Sequence, residues 1–289
     1  MELLVENSTY DIVGSPYQFY VDFTVKDLLN EEEHKIFDQI NAHYAACFSL
    51  IKTKDPVLAS QNLEQGNALL EQSASMVKKL VNVFCLPFIS YYYYKIKDYK
   101  SAIDKSNFII AKVTELESAN HEYLFFCKIQ QQQNLGRISW ATGDIEKTVK
   151  IHTQCVLDIY DKAGNWDINR SIHNVPVMVL VENTQYLFFI QVITEMLARL
   201  VSRFKTEKVV AVSWIKLFIE PLRTLNFDHL APYDPRYRAF DSYLRMFGDL
   251  VDGNEEGFVE EASAFLDNSL FDEEMKKVVG RYLYYFGYI

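Results

Sequence analysis

Apolar side chains recur along most of the chain at intervals of three, four and seven residues, with polar residues between them. Residues three or four apart lie on one face of an α-helix, so this pattern predicts amphipathic helices that bury one face. Residues 97–112 carry Tyr99, Ala102, Ile103, Ile109 and Ile110, and residues 143–161 carry Ile145, Val149, Val156 and Ile159. Only 10 Gly and 7 Pro occur in 289 residues. All-β folds need many turns, so this scarcity also favours helices.

Five dipeptides combine a residue suited to end one helix with a residue suited to cap the next. Side-chain oxygens of Asp, Asn and Thr accept unpaired backbone N–H groups at a helix start, and Gly or Lys suits the end of the preceding helix. The dipeptides are Lys54-Asp55, Lys97-Asp98, Gly143-Asp144, Lys205-Thr206 and Gly253-Asn254. Each predicts a tight turn between two helices.

These turns recur at a nearly regular interval. The successive intervals between their second residues are 43, 46, 62 and 48 residues. The long interval contains residues 162–176, which hold the turn or breaker residues Gly164, Asn165, Asn169, Asn174 and Pro176 and predict an inserted loop. A repeat of about 20 to 50 residues is typical of stacked units that bury their faces against their neighbours.

Other signals predict individual helix ends. Asn30, followed by three glutamates, predicts the start of a helix that runs to about Thr53. Pro56 suits the first turn of the second helix, and Pro87 is expected to interrupt or end that second segment. The later predicted helices are residues 121–142, 145–162, 177–205, 207–225, 236–252 and 255–266.

Together these signals predict an all-α fold. We expect a right-handed α-solenoid of about five antiparallel pairs of long helices, with a capping helix near the C-terminus at about residues 272–288. Residues 1–29 are expected to form a lead-in segment, and residues 30–289 a single helical-repeat domain.

Several of these positions also match a known repeat. Leu135-Gly136 and Gly143-Asp144 stand at the spacing of the tetratricopeptide repeat, and Ile145, Thr148, His152 and Cys155 fill its alternating large and small positions. Tyr93, Tyr99, Ala102, Ser106 and Ile109 fill matching positions in the preceding pair. The chain therefore resembles tetratricopeptide-repeat proteins, although its units exceed the regular length of about 34 residues. The resemblance implies a stack of helix pairs that binds proteins or peptides. Its longer units are similar to the peptide-sensing repeat domains of bacterial regulators.

The charge balance and the cysteines narrow the classes of partner and compartment. The formal net charge is −10, with 29 scattered Lys and Arg against 39 Asp and Glu, so we expect no nucleic-acid partner. The first 20 residues lack the pattern of a signal peptide, and no apolar run reaches about 20 residues, so we expect no membrane span. Cys47, Cys85, Cys127 and Cys155 are predicted to be buried, reduced thiols of a cytoplasmic protein.

The sequence contains parts of several metal-binding and catalytic motifs, but none of these motifs is complete. Glu31 and His34 form one Glu-x-x-His, but a di-iron bundle needs two. His43 with Cys47, and His152 with Cys155, each supply two ligands where zinc needs four. Arg223 and His229 have a spacing seen in some helical ribonucleases, but they lie in a proline-rich stretch that indicates an ordinary loop. We predict no catalytic residue, no metal site and no cofactor.

Polar and aromatic residues instead concentrate on the first helices of the predicted pairs, which commonly line the concave face of such a stack. Amides offer donors and acceptors to a peptide backbone, and tyrosines add stiff contact area with a polar tip. We predict a peptide-binding groove lined by Tyr93, Tyr94, Gln130, Gln131, Asn134, Glu182, Gln185 and Tyr186. The alternative is that half of the tyrosines belong to the core and the amides to a solvated face.

The sequence favours a non-enzymatic protein- or peptide-binding module acting as an adaptor, scaffold, chaperone or peptide sensor. The alternative is an all-helical enzyme or accessory catalytic subunit with its site in the groove or under the loop at residues 162–176. The aromatic segment at residues 281–289 either docks on the last pair as a cap or forms a homodimer contact.

Overall fold

The computed structural model describes residues 16–117, 121–163, 165–166, 171–172, 175–228, 230 and 235–289, and over this part the chain is helical apart from one two-stranded ribbon. Its thirteen α-helices are α1 (Pro16–Leu28), α2 (Glu31–Lys52), α3 (Pro56–Gln72), α4 (Ser75–Phe84), α5 (Leu86–Lys95), α6 (Tyr99–Glu117), α7 (Phe125–Ala141), α8 (Ile145–Lys162), α9 (Val177–Phe204), α10 (Lys208–Ile219), α11 (Arg238–Asp252), α12 (Glu255–Asp267) and α13 (Glu273–Tyr285). Short 3₁₀ helices span Glu122–Leu124, Glu220–Leu222 and Pro235–Tyr237. The all-α prediction is confirmed.

One small antiparallel ribbon occurs within the predicted loop at residues 162–176. Strand β1 (Ser171–Ile172) pairs with β2 (Val175–Pro176), so that Ser171 lies opposite Pro176 and Ile172 opposite Val175. Helix α9 follows this ribbon directly.

Four of the five predicted turns form as expected. Lys54, Lys97, Gly143 and Gly253 adopt left-handed backbone conformations, with φ between 65° and 87°, and the acidic or amide residue after each accepts a backbone N–H of the next helix. A left-handed residue after a helix frees the chain to turn while local bonds satisfy its last carbonyls. The first helix is also capped as predicted, because Asn30 and Glu33 bond each other's backbone N–H groups.

One predicted helix start is wrong. Thr206 does not cap α10. The N-terminal flanking residue is Glu207, whose side chain makes no capping bond. The interruption predicted at Pro87 is confirmed, because α4 ends at Phe84 and Pro87 lies in the first turn of α5, where its missing N–H is not needed. A second break, not predicted from the sequence, falls earlier, where Ser73 and Ala74 are extended (ψ 158° and 156°) and the Ser73 hydroxyl donates to the Leu69 carbonyl at 2.7 Å.

The chain divides into two compact units. The first comprises Met1–Thr142 with Ile168–Thr184, and the second comprises Gly143–Asp167 with Gln185–Ile289. Each unit is described by itself below.

In the first unit, helices that follow one another in sequence pack in pairs. Helix α2 contacts α3 and α5, α5 contacts α6, and α6 contacts α7. Small residues allow the α5–α6 approach, since the Ser90 hydroxyl donates to the Ala102 carbonyl at 3.0 Å and lies 2.9 Å from the Ser106 hydroxyl. Gly66 of α3 gives the same freedom against the buried ring of Tyr44 in α2.

In the second unit, aromatic side chains dominate the core. Phe189, Phe227, Tyr237 and Phe240 form a connected cluster with ring centroids 5.3 to 6.2 Å apart. Helix α13 packs against α12 and buries Met275, Val278, Val279, Tyr282 and Leu283. The Tyr282 hydroxyl donates to the Leu197 carbonyl at 2.8 Å. The aromatic segment thus docks through one face, while Tyr284, Tyr285 and Ile289 stay exposed.

Candidate functional site

The eight residues of the predicted groove fall into both units. Tyr93 and Tyr94 lie on α5, and Gln130, Gln131 and Asn134 lie on α7. Glu182, Gln185 and Tyr186 lie on α9. The first six belong to the first unit, whereas Gln185 and Tyr186 belong to the second.

Three of the eight side chains are buried. Gln131 is fully buried, and its carbonyl oxygen accepts from the Asn134 amide at 3.3 Å. Gln185 accepts from the Trp166 indole at 2.9 Å and donates to the Ile159 carbonyl at 3.1 Å. Tyr186 packs against the rings of Tyr237 and Phe240 at 5.6 Å. These contacts give Gln185 and Tyr186 a role in the core, whereas the buried Gln131 amide nitrogen has no hydrogen-bond partner among the described residues.

The other five retain some exposure. Gln130 and Asn134 are half-buried, and Asn134 accepts from Arg137 at 2.9 Å. Glu182 is exposed, and partial burial of its carboxyl raises its pKa. Tyr93 lies edge-on to Tyr92 at 5.5 Å, and its pKa is raised chiefly by burial. Of these five residues, only Tyr94 belongs to a larger group of partly exposed aromatic side chains.

Tyr94 belongs to a group of partly exposed rings that runs across α2, α5 and α6. We call this group the aromatic–lysine surface, and its members are Phe48, Lys52, Phe88, Tyr91, Tyr94, Lys95 and Tyr99. The ring of Phe48 lies 5.1 Å from Phe88 and 4.8 Å from Tyr91. Tyr94 lies 6.2 Å from Tyr91 and 6.0 Å from Tyr99. All five rings are half-buried, so each keeps an accessible portion.

Helical spacing explains why these side chains share a face. On α5, Ile89 and Ser90 point into the core, whereas Phe88, Tyr91 and Tyr94 follow one another at intervals of three residues on the opposite side. On α2, Phe48 and Lys52 are four residues apart. The contact between α2 and α5 then joins the two faces into one surface.

Two ammonium groups lie against these rings. The Nζ atom of Lys52 is 3.8 Å from the centroid of Phe48 and 5.8 Å from that of Tyr91, and Lys95 Nζ is 5.2 Å from Tyr91. An exposed cation–π contact contributes about 0.5 to 1 kcal/mol, so the contacts hold the lysines only loosely. Neither lysine has a carboxylate within 4 Å among the described residues. The surface therefore offers contact area and positive charge together.

The second unit contains a charged cleft of about 850 Å³. Its walls include Arg223, Arg238, Arg245, Asp241, Asp249 and Asp252. Arg223 donates to the Gly248 carbonyl at 2.8 Å and pairs with Asp252 at 2.9 Å. Its role here is structural. His229, the residue considered with it in the sequence, lies outside the described residues. The mixed charges of the cleft do not point to one class of ligand.

The described cysteines are poorly suited to nucleophilic chemistry. All four are buried, and burial raises the pKa of the Cys47 thiol to about 11 and the pKa values of the other three still higher. Neutral thiols are weak nucleophiles, so these groups serve as small apolar core residues. The other candidates are ordinary contacts: His34 lies 3.7 Å from Asp38, and His43 lies 3.4 Å from Asn62. Within the described ranges, no three His, Cys, Asp or Glu side chains are grouped as metal ligands.

Sequence reasoning missed Phe48, Phe88 and both lysines of the surface. The spacing of Phe48 and Lys52 indicates a shared helix face, but the sequence has no signal for which helix lies beside it. Tyr91 stood in the same tyrosine run as the predicted Tyr93 and Tyr94, and only packing separates the members of that run.

No family model, curated protein or solved structure matches the chain. Over the part of the chain that the structure describes, no helix has both the length and the apolar character needed to cross a membrane. Functional interpretation therefore rests on the geometry of the surfaces described above.

Proposed function

We propose that this protein is a non-enzymatic binding module that holds a protein segment on its aromatic–lysine surface. The observation that carries the proposal is the contiguous set of five partly exposed rings on α2, α5 and α6. Such a module can serve as an adaptor, scaffold or peptide sensor.

Exposed aromatic groups of this kind suit protein recognition. Aromatic side chains provide large contact areas with few rotatable bonds, and they are enriched at interfaces. A contiguous apolar patch on a monomer is often functional, whereas single exposed apolar residues are normal. The five rings contact one another, so they form a contiguous patch and are not single exposed residues.

The packing order in the first unit supports a stack of helix pairs. Helices α2 and α5, each the first member of a pair, lie side by side and carry most of the surface. This is the arrangement that a tetratricopeptide-like solenoid requires, and we retain the solenoid as part of the proposal. The cytoplasmic location stays a prediction from the sequence.

The enzymatic alternative has weaker support. Its cysteine nucleophiles would have to ionise against raised pKa values. The loop at residues 162–176, the other place that this alternative gives to a site, lies partly outside the described residues.

Selection from a displayed library of random peptides on the full-length chain tests the proposal. We expect enriched peptides to bind in solution and to lose at least about tenfold in affinity with Tyr91→Ala/Tyr94→Ala, because truncating two interface rings commonly costs more than 1 kcal/mol. Tyr284→Ala/Tyr285→Ala removes two exposed rings elsewhere and should leave binding unchanged. Circular dichroism spectra and thermal unfolding would establish that both variants are folded.

Two outcomes would contradict the proposal. One is a selection that enriches no peptide over an unrelated immobilised protein. The other is an affinity that both tyrosine pairs affect equally, since the binding would then not lie on this surface.

A further inference from the structure

Charge on the aromatic–lysine surface differs from charge on the chain as a whole. The chain has a formal net charge of −10, yet Lys52 and Lys95 both approach the ring of Tyr91 with no carboxylate within 4 Å among the described residues. We infer that the bound segment is acidic, with Asp or Glu side chains next to apolar ones. This inference rests on the proposed function.

The turns beside the surface add to its positive charge. Lys54 follows α2 and Lys97 follows α5, and both are exposed in left-handed conformations. The neighbouring carboxylates already have partners. Asp55 accepts from the Leu58 backbone N–H at 3.1 Å, and Asp98 accepts from the backbone and hydroxyl of Ser101 at 3.1 and 2.6 Å. These carboxylates keep their charge, but Lys52, Lys54, Lys95 and Lys97 outnumber Asp55 and Asp98 by four to two, so the formal charge of the six residues is 4 − 2 = +2.

An acidic segment makes use of both components of the surface. Its carboxylates can draw the Lys52 and Lys95 ammonium groups from the ring faces into charge-assisted hydrogen bonds, which are stronger than contacts between neutral groups. Its apolar side chains can then contact the ring area of Phe48 and Tyr91. At physiological salt, charges interact over about 8 Å, so the charges near the surface decide its attraction for a partner more than the net charge of the whole chain does.

The ring geometry disfavours single-stranded nucleic acid, the other anionic polymer. Bases bind on free, accessible aromatic faces. Here the Phe48 ring is covered by the Lys52 ammonium at 3.8 Å, and neighbouring rings are tilted at 40° to 58° to one another. Preferential binding of an oligonucleotide is therefore the alternative outcome that the test must distinguish.

Fluorescence anisotropy on the full-length chain tests the inference with three labelled probes. The probes are a peptide of about twelve residues containing Glu, Asp, Leu and Phe, its counterpart with Lys and Arg in place of Glu and Asp, and an oligothymidylate of equal length. We expect the acidic peptide to bind at least about tenfold more tightly than either other probe, and to weaken severalfold from about 50 to about 300 mM NaCl.

Charge-neutralising variants test whether Lys52 and Lys95 cause the preference for the acidic peptide. Lys52→Gln/Lys95→Gln should weaken the acidic peptide at least about fivefold and reduce its salt dependence. Lys147→Gln/Lys216→Gln changes net charge equally at exposed lysines of the second unit and should have little effect. Both substitutions are at accessible positions, and unchanged thermal unfolding would verify the fold.

The outcomes separate this inference from the proposed function. If selected peptides bind through Tyr91 and Tyr94 but the acidic probe has no advantage, the inference fails and the binding function stands. If neither selected peptides nor any probe binds, both fail. Tight, lysine-dependent binding of the oligothymidylate would overturn the inference in favour of nucleic acid.

Discussion

Substitution of Gly66 by alanine should destabilise the first unit, although alanine is normally the better helix former. Gly66 lies within α3, and a Cβ atom there would come 2.3 Å from Cε1 and 2.6 Å from Cδ1 of Tyr44. That ring is fully buried, and its hydroxyl donates to Asn67 Oδ1 at 2.6 Å. Either the ring or the α2–α3 spacing must change.

The expected magnitude combines three terms. Removing a helical glycine contributes about 1 kcal/mol of stability. Overpacking a core typically costs about 1 to 3 kcal/mol, and loss of the Tyr44–Asn67 hydrogen bond costs about 1 kcal/mol more. The net expectation for Gly66→Ala is a loss of about 1 to 3 kcal/mol in the free energy of unfolding.

Urea unfolding followed by circular dichroism measures this loss. Hydrogen exchange in α2 and α3 assigns the loss to the first unit. Gly280→Ala is the matched control: Gly280 is also helical, and a Cβ there meets no atom within 4 Å. The control should therefore gain about 0.5 to 1 kcal/mol. A neutral or stabilising Gly66→Ala variant would refute the close α2–α3 approach. A Tyr44→Ala background that still shows the full Gly66→Ala penalty would refute the ring as its cause.

Two further predictions follow from the caps and the thiols. Asp144→Ala should cost about 1 kcal/mol, because its side chain accepts from the Lys147 backbone N–H at 3.1 Å, whereas Glu207→Ala should change little, because Glu207 makes no capping bond. Equal losses in urea unfolding would contradict this. Burial raises the pKa of the Cys47 thiol from its ordinary value of 9.0 to about 11, so the thiol should stay protonated in the folded chain at pH values where an unfolded thiol ionises. The free energy of unfolding should therefore fall as pH rises from about 9 to about 11, where only the unfolded thiol ionises, and alkylation at pH 8 should be far slower in buffer than in urea. Fast alkylation of the folded chain would show that Cys47 is accessible.

Most helix ends could be read from the sequence because their causes are local. A cap, a left-handed residue and the period of apolar positions act over about four residues. Asp55, Asp98 and Asn254 behave as predicted for this reason. The same local logic failed at Thr206, because the helix begins one residue later, after Glu207, and no side chain caps it.

Local sequence signals could not predict which of the groove residues are buried. Gln131 and Gln185 are amides, and an amide is stable either in water or in a core that supplies hydrogen-bond partners. Trp166 and Ile159 supply those partners for Gln185, but they lie 19 and 26 residues away along the chain. The amide residues alone therefore could not distinguish a groove from an interior.

The sequence by itself determined the helical class, the order of the helices and most of their ends, because these depend on hydrogen bonds and periodicity within single helices. It also drew attention to the tyrosine run that contains Tyr91 and Tyr94. Only the tertiary structure decided that Phe48 and Lys52, which lie 43 and 39 residues before Tyr91, join that run, while Tyr186 packs into a core. Exposure depends on which faces of different helices meet, and that is fixed by contacts between distant parts of the chain.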